Sequence, residues 1–263
     1  MKNDWSLLID REPQKGSWNM AVDDYLFRSL GEEPATYLRF YRWKNPTVSI
    51  GYSQKLDKVV DLDFCIENGI DIVRRITGGK LVLHHKEATY SVCSSDTDIF
   101  SHKLMNSYKL ISEALNSGLR RMGIASHLAK HTPSDYIRGV APCFSHPARD
   151  EIETRGKKII GSAQKRTGKK FIQHGSIPIE KEEALLKSVS RSVQKEGVIK
   201  MTSLEEALGK HVDFDWAVDH FISGISDFFR VRLIPRLLTP EELDAVQEIQ
   251  RERYENPEWT HLC

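Results

Sequence analysis

The sequence predicts an α+β fold, a mixed sheet flanked by helices, from three observations. Short apolar runs bounded by Gly, Pro and charged turns are interleaved with segments whose apolar residues recur every three or four positions. With 263 residues, 40% apolar and 29% charged, the chain can fill a sizeable core and is not disordered as a whole. After Pro178 the pattern becomes mostly helical. One main domain over residues 1–263 is therefore expected, with the segment from about 179 to 263 packed on it rather than forming a separate module.

Ser6–Asp10 reads as the first strand, and Trp18–Leu30 as a helix, with Ala21, Val22, Tyr25 and Leu26 at helical spacing. Ala35–Trp43 and Thr47–Tyr52 are strand-like, separated by a turn at Lys44-Asn45-Pro46. Asp61–Asn68 is a short helix that Gly69 ends, feeding the alternating strand Ile70–Ile76. Thr77-Gly78-Gly79-Lys80 then leads into a single strand from Leu81 through Ser91. The clearest helix is Ser101–Met122, with Met105, Tyr108, Ile111, Leu115, Leu119 and Met122 on one face and Gly123 closing it.

Residues 131–150 are irregular and rich in Pro and Gly, a long loop of the kind that is usually functional or mobile. Lys157–Arg166 and Lys170–Ile177 form a hairpin about Thr167-Gly168-Lys169. Beyond it, Ser203-x-x-Glu206 is a capping pattern, Phe214–Phe229 is amphipathic, and Val231–Ile234 is a short strand. Thr239-Pro240-Glu241-Glu242 starts a helix that runs to about Tyr254.

Charge and cysteine usage exclude several function classes. Lys and Arg number 38 against 37 Asp and Glu, which argues against a chain that coats nucleic acid or a membrane through bulk charge. The N-terminus is interrupted by charge and lacks an apolar signal-peptide core, and no run approaches a membrane span. A soluble cytoplasmic protein, monomeric, is expected. The four cysteines, Cys65, Cys93, Cys143 and Cys263, include no CxxC pair, so disulfide scaffolds and zinc fingers are poor readings. His84-His85 would face opposite sides of a strand, and Cys143-x-x-His146 is a lone half-site, so no metal is expected.

Four segments could carry chemistry. In RRITGGKLVLHH, the paired Gly78 and Gly79 let the backbone approach a ligand, while Arg74, Arg75 and Lys80 bring positive charge. The plainer reading is a tight turn with solvated bases; neither a Walker loop nor a GxGxxG is present. In GKKIIGSAQKR, Gly161-Ser162-Ala163 weakens a strand unless something packs closely there. Strict alternation would put Lys158 on one side with Ile160 and Ser162, pointing at a ligand, although a surface lysine is the commoner outcome. In FIQHGSI, His174-Gly175 again suggests close approach, against the reading of a satisfied core histidine. Finally, Cys143 lies in the irregular loop, where Lys158, His146 or His174 could stabilise its thiolate; loop cysteines are more often inert. Cys65, Cys93 and Cys263 have bland readings.

Taken in order, SWNMAVDDYLF, RFYRWKNPTVSIGYSQ, RRITGGKLVLHH, KKIIGSAQKR and QHGSI resemble the lipoate–protein ligase A/octanoyltransferase group of the biotin–lipoyl ligase superfamily. The closing ELDAVQEIQRERYENPEWT is similar to that group's last helix. The resemblance covers most of the chain and implies a biotin/lipoyl protein ligase-like catalytic domain. Within the group, ATP-dependent ligases carry a third glycine where this chain has Lys80, an Asp where it has His85, and Asn-Asp near Cys143-Phe144. These departures resemble the cysteine-dependent octanoyltransferases, in which the loop position of Lys80 is usually Arg.

The resemblance implies that Cys143 takes an octanoyl group from acyl carrier protein and passes it to a lipoyl-domain lysine, on glycine-cleavage H protein or a dehydrogenase E2 subunit. Lys158 would assist as the second catalytic residue. Arg74, Arg75, Thr77, Gly78, Gly79, Lys80, His84, Gly161, Ser162, Ala163, Gln164, His174 and Gly175 would bind the acyl substrate. No cofactor is expected; ATP and Mg would be needed only by an ATP-dependent lipoate–protein ligase, the first alternative. The second is an amidotransferase moving octanoyl between lipoyl-domain proteins, and the third a binding protein without turnover. Local basic patches at Lys157–Lys158, Lys165–Arg166 and Lys169–Lys170 are expected to meet acidic carrier domains.

Overall fold

A computed structural model describes residues 4–101, 103–130, 150–196 and 199–262 of the chain. The elements run β1 (Asp4–Gln14), α1 (Gly16–Ser29), β2 (Thr36–Trp43), β3 (Thr47–Ile50), α2 (Leu56–Val59), α3 (Leu62–Glu67), β4 (Asp71–Arg74), β5 (Val82–His84), β6 (Glu87–Ser94) and α4 (Leu104–Arg121). Then follow β7 (His127–Leu128), β8 (Ile152–Thr154), β9 (Lys157–Thr167), β10 (Lys170–Pro178), α5 (Glu183–Val189), α6 (Arg191–Glu196), α7 (Leu204–Leu208) and α8 (Phe214–Phe229). The last are β11 (Arg232–Pro235), α9 (Pro240–Ile249), a π-helical turn (Gln250–Tyr254) and α10 (Pro257–Thr260).

Two sheets result, one of eight strands in the order β11-β1-β2-β6-β10-β9-β8-β7 and one of three in the order β4-β3-β5. Both are mixed: β1 is parallel to β2 and β11, β3 is parallel to β4, and the remaining pairs are antiparallel. The alternation of β-strands divides the large sheet's side chains between two layers. Leu38, Phe40, Tyr90 and Val92 point to α4 and α8; Tyr41, Cys93 and Ile172 point to α1 and the C-terminal elements. A third apolar cluster joins the small sheet to α3 and α5 through Val48, Ile50, Cys65 and Val189.

Several local expectations are corrected. The run from Leu81 to Ser91 is two strands, because Lys86 adopts a left-handed φ of 49°. That corner sends β5 into the small sheet and β6 into the large one. The break at Lys44-Asn45-Pro46 likewise moves the chain from one sheet to the other. Helix α4 begins at Leu104, so Met105 lies in its first turn and is 52% exposed rather than part of the core stripe. The predicted helix to Tyr254 is present, but its last turn is π-helical. In the C-terminal part, β11 extends the large sheet beside β1, α8 packs on α4, and α9 with its π turn packs on α1.

Candidate active site

The cavity that gathers the sequence motifs lies between the two sheets. From the large sheet come Tyr41, Thr89, Gly161, Ser162, Ala163, His174, Gly175 and Ser176; from the small sheet and the glycine loop come Ser49, Arg75, Gly79, Lys80, Val82 and His84; α1 adds Met20. Close approach explains the glycines. A Cβ on Gly175 would lie 2.6 Å from both the Gly161 carbonyl oxygen and the Tyr90 ring, so β9 and β10 can come together here only without one. Gly79 has a φ of 90°, and a Cβ there would meet the Arg75 guanidinium at 2.9 Å.

Four expected binding residues lie outside this wall. Thr77 and Gly78 stand behind it: the Thr77 hydroxyl meets His174, and the Gly78 carbonyl accepts from Arg75. The Gln164 side chain donates to Ser107. Arg74 turns away altogether, donating to the carbonyls of Gly51, Tyr52, Gln54, Trp259 and Thr260. Its neighbour Arg75 faces the loop and donates to the carbonyls of Ser49, Gly78 and Lys80.

Two hydrogen-bonded chains run through the wall. In the first, His174 Nδ1 lies 3.1 Å from Asp23 and Nε2 lies 2.7 Å from the Thr77 hydroxyl. A carboxylate only accepts, so Nδ1 carries the proton and Nε2 accepts from Thr77. Burial pushes His174 below its ordinary pKa, against the pull of Asp23, which leaves it neutral. Asp23 also accepts from Arg39, Tyr41 and Ser91. Burial works to raise its pKa, but the His174 hydrogen bond and the Arg39 charge outweigh it, and the carboxyl sits below its usual range. In the second chain, His84 Nδ1 donates to Glu87 at 2.7 Å, and Nε2 accepts from the Ser49 hydroxyl at 2.7 Å. The Trp43 indole stacks on the His84 ring at 4.0 Å.

Sequence reasoning missed Asp23, Glu87 and Ser49. The available signal was an acid amid the buried apolar positions of α1, where Asn19 to Asp24 are all buried. Internal pairing has a chemical consequence: the polar groups of these two chains satisfy one another, so an apolar chain can lie against them without stranding a donor.

Lys158 is 1% exposed, and its ammonium lies 2.7 Å from the Glu151 carboxylate. A β-bulge sets its direction. Ile160 pairs with Ile152 while Lys158 pairs with Glu153, leaving Ile159 extra. Directly paired residues share a face, so Lys158 and Ile160 face opposite sides. The expectation that Lys158 sides with Ile160 and Ser162 is corrected: the bulge puts it on the face of Gly161 and Ala163. Neither does Lys158 join a surface patch. Lys157 pairs with Glu206, Lys169 with Glu32, Lys170 with the Leu30 carbonyl, and Arg166 with Ser107. These bases are thus held by their own chain.

Cys143, His146 and Cys263 lie outside the described residues. The other two thiols are buried: burial pushes Cys65 up to about 11, and Cys93 well above the usual thiol range. Neither is a thiolate at neutral pH. Among the described residues no group of three His, Cys, Asp or Glu side chains could hold a metal, and no helix is long and apolar enough to cross a membrane.

A family profile described as the lipoyl protein ligase A/B catalytic domain matches residues 15–226. The chain belongs to this family of enzymes. It is 36% identical to an octanoyltransferase (LipM) of Geobacillus kaustophilus, over 92% of this chain and 93% of that one. It is also 36% identical to an octanoyltransferase (LipM) of Clostridioides difficile, over 98% of each. Among solved structures, a lipoate-protein ligase A bound with ATP superposes with a TM-score of 0.83 at 23% identity, covering 99% of each chain. A bipartite lipoate protein ligase from Thermoplasma acidophilum gives 0.81 at 23% identity, over 99% of this chain and 98% of that one. At that identity the two structures speak for the fold, the expected mixed sheet of the lipoate ligases.

Proposed function

We propose that this chain takes an octanoyl group from the thioester of acyl carrier protein and delivers it to the lipoyl-domain lysine of an acceptor protein, by way of a thioester on Cys143. The chain is an octanoyltransferase of protein lipoylation, and the observation that carries this is its 36% identity to the LipM octanoyltransferases along nearly the whole chain. The replacement of the ligases' third glycine by Lys80, and a cysteine, Cys143, where the ligases carry Asn-Asp, support the transferase chemistry.

In the first half-reaction the Cys143 thiolate attacks the donor carbonyl, a C–S bond forms, and the donor's C–S bond breaks. The carrier leaves as a thiolate and takes up a proton. In the second, the acceptor amine, having lost its ammonium proton to water, attacks the Cys143 thioester. A C–N bond forms, the Cys143 C–S bond breaks, and the amine's second proton goes to the departing sulfur. Thioester exchange is nearly neutral and the amide is more stable than the thioester, so neither step needs ATP or a metal. The Lys158 ammonium stabilises the thiolate and the oxyanion of each tetrahedral intermediate. The acyl tail occupies the cavity between the sheets. Glycine-cleavage H protein or an E2 lipoyl domain in the cytoplasm serves as acceptor.

Intact-mass measurement tests this directly. With octanoyl carrier protein the enzyme gains one octanoyl group, Cys65→Ala gains it equally, and Cys143→Ala gains none and loses turnover. Full turnover in Cys143→Ala would overturn the cysteine route. Turnover from free octanoate that depends on ATP would point to a ligase, and preference for an octanoylated lipoyl domain as donor to an amidotransferase.

A further inference from the structure

The reading of Lys158 as the charge that stabilises thiolate and oxyanion requires it to remain an ammonium, and its surroundings work against that. Its side chain is fully buried. Burial alone drives a lysine toward its neutral form, by several pKa units in an apolar site. A neutral amine at this place could not stabilise developing negative charge. We propose that Glu151 is the positioning residue that keeps Lys158 charged and aimed, and that acyl transfer depends on the charge of its carboxylate rather than on its bulk.

Three features support this. First, the Glu151 side chain is itself only 5% exposed and accepts from the Lys158 Nζ at 2.7 Å, so the pair interacts where water screens it little. The other ion-paired lysine of β9, Lys157, bonds to an exposed Glu206 on the opposite face, and there a carboxylate contributes little. Second, both partners are fixed by their backbones. The N–H of Lys158 donates to the Lys200 carbonyl and its own carbonyl accepts from Thr202, while the Glu151 carbonyl accepts from Ala129. Third, the bulge at Ile159 turns Lys158 to the face of Gly161 and Ala163, which line the cavity. By strand alternation Glu151 lies on the face of Glu153, the residue paired with Lys158. Glu151 thus reaches Lys158 from the strand next to β9, on the side where the reacting carbonyl must lie if the acyl tail fills the cavity.

A structural and an electrostatic role make opposite demands on substitution. Glu151→Gln preserves size and a hydrogen bond to the ammonium but removes the charge; Glu151→Asp preserves the charge but shortens the reach. The measurements are the rate of octanoyl adduct formation with octanoyl carrier protein, kcat and KM for the donor, and thermal unfolding of each variant. Glu151→Gln should lose about a hundredfold in adduct rate and in kcat, with the donor KM changed by less than about threefold. Glu151→Asp should retain at least about tenfold more activity than Glu151→Gln. If Glu151→Gln is as active as wild type, or more active than Glu151→Asp, the proposal is wrong. Should Glu151→Gln not fold, Glu151→Asp read beside Glu151→Ala still decides: an Asp variant no more active than the Ala variant, or an Ala variant as active as Glu153→Ala, overturns it. Lys158→Met separates the two readings. A fully active Lys158→Met brings down the assignment of Lys158 and this inference with it; an inactive Lys158→Met beside a fully active Glu151→Gln brings down this inference alone.

Discussion

His174 and His84 line one cavity, and each meets a buried carboxylate through Nδ1, yet the two acids are held differently. Asp23 has the Arg39 guanidinium beside it at 2.9 Å, and the same guanidinium also pairs with Asp10. Glu87 instead accepts from the His84 ring and from the hydroxyls of Thr89 and Ser176. Burial keeps His174 a neutral strut between α1 and the glycine loop, and protonating it would charge a buried ring and end its acceptance of the Thr77 hydroxyl. Its lowered pKa makes stability depend on pH with a definite sign. In the unfolded chain the ring takes a proton near its ordinary value of 6.5, whereas in the folded chain it takes one only at lower pH. The contribution of His174 is complete above 6.5 and is lost as pH falls below it, with a slope of at most about 1.4 kcal/mol per pH unit. Asp23, also lowered, adds stability that is complete above its ordinary value of 3.8 and is lost only below that. Thermal unfolding between about pH 7.5 and about pH 5 should show a fall in wild type that is shallower in His174→Gln. Identical slopes would mean that no proton is linked to folding at this ring.

Helix α1 is tied to the large sheet by charge as well as by apolar packing. Arg39, fully buried on β2, donates to Asp23 and to the Asn19 carbonyl on α1 and to Asp10 on β1. Removing one partner of such a buried network leaves the other charged without compensation. Arg39→Met should cost about 3–5 kcal/mol in denaturant unfolding, whereas Lys169→Ala, which breaks an exposed pair with Glu32, should cost less than about 1 kcal/mol. Equal costs would show that packing alone holds α1. What could be read from the sequence follows the same division between local and distant causes. The hairpin β9–β10, the capped starts of α7 and α9, and the left-handed glycine after α3 depend on neighbouring residues, and all were legible. The division of β5 from β6 was not, because it depends on which sheet each strand pairs with. In the site, the glycines announced where backbones approach, and their loop and hairpin do meet in one cavity. Glu87 and Glu151 were illegible as site residues. Each reads as an ordinary surface acid, and only a base or ring from another element makes its burial tolerable. The face taken by Lys158 was misread because alternation carries no sign of a bulge.

Across the whole molecule, the C-terminal segment reaches the cavity through a chain of contacts that ends at the glycine loop. The carbonyls of Trp259 and Thr260 accept from Arg74, the last residue of β4, and the Trp259 indole N–H donates back to the Arg74 carbonyl at 2.8 Å. The same guanidinium gathers the carbonyls of Gly51, Tyr52 and Gln54, and the Tyr52 N–H donates to the Thr77 carbonyl. The Thr77 hydroxyl in turn meets His174. Gly51 packs directly on the Gly79 carbonyl, so the turn at 51–54 is the surface on which the loop rests. The two arginines divide the work: Arg74 fixes the underside of the loop to the end of the chain, and Arg75 fixes its carbonyls from within. Trp259→Ala should therefore loosen residues 76–82 although Trp259 does not line the cavity. Hydrogen exchange in that segment should quicken, and the donor KM should rise by about threefold to tenfold with a smaller change in kcat, because a loosened wall weakens binding before it alters the reacting groups. The loss of one hydrogen bond and of the ring contacts with Tyr52 and Tyr254 should also lower global stability by about 1–3 kcal/mol. Leu237→Ala, at a side chain that is 84% exposed, is the control for a change elsewhere in the C-terminal region. Unchanged exchange in residues 76–82 beside a lowered melting temperature would mean that the segment stabilises the fold without bracing the site.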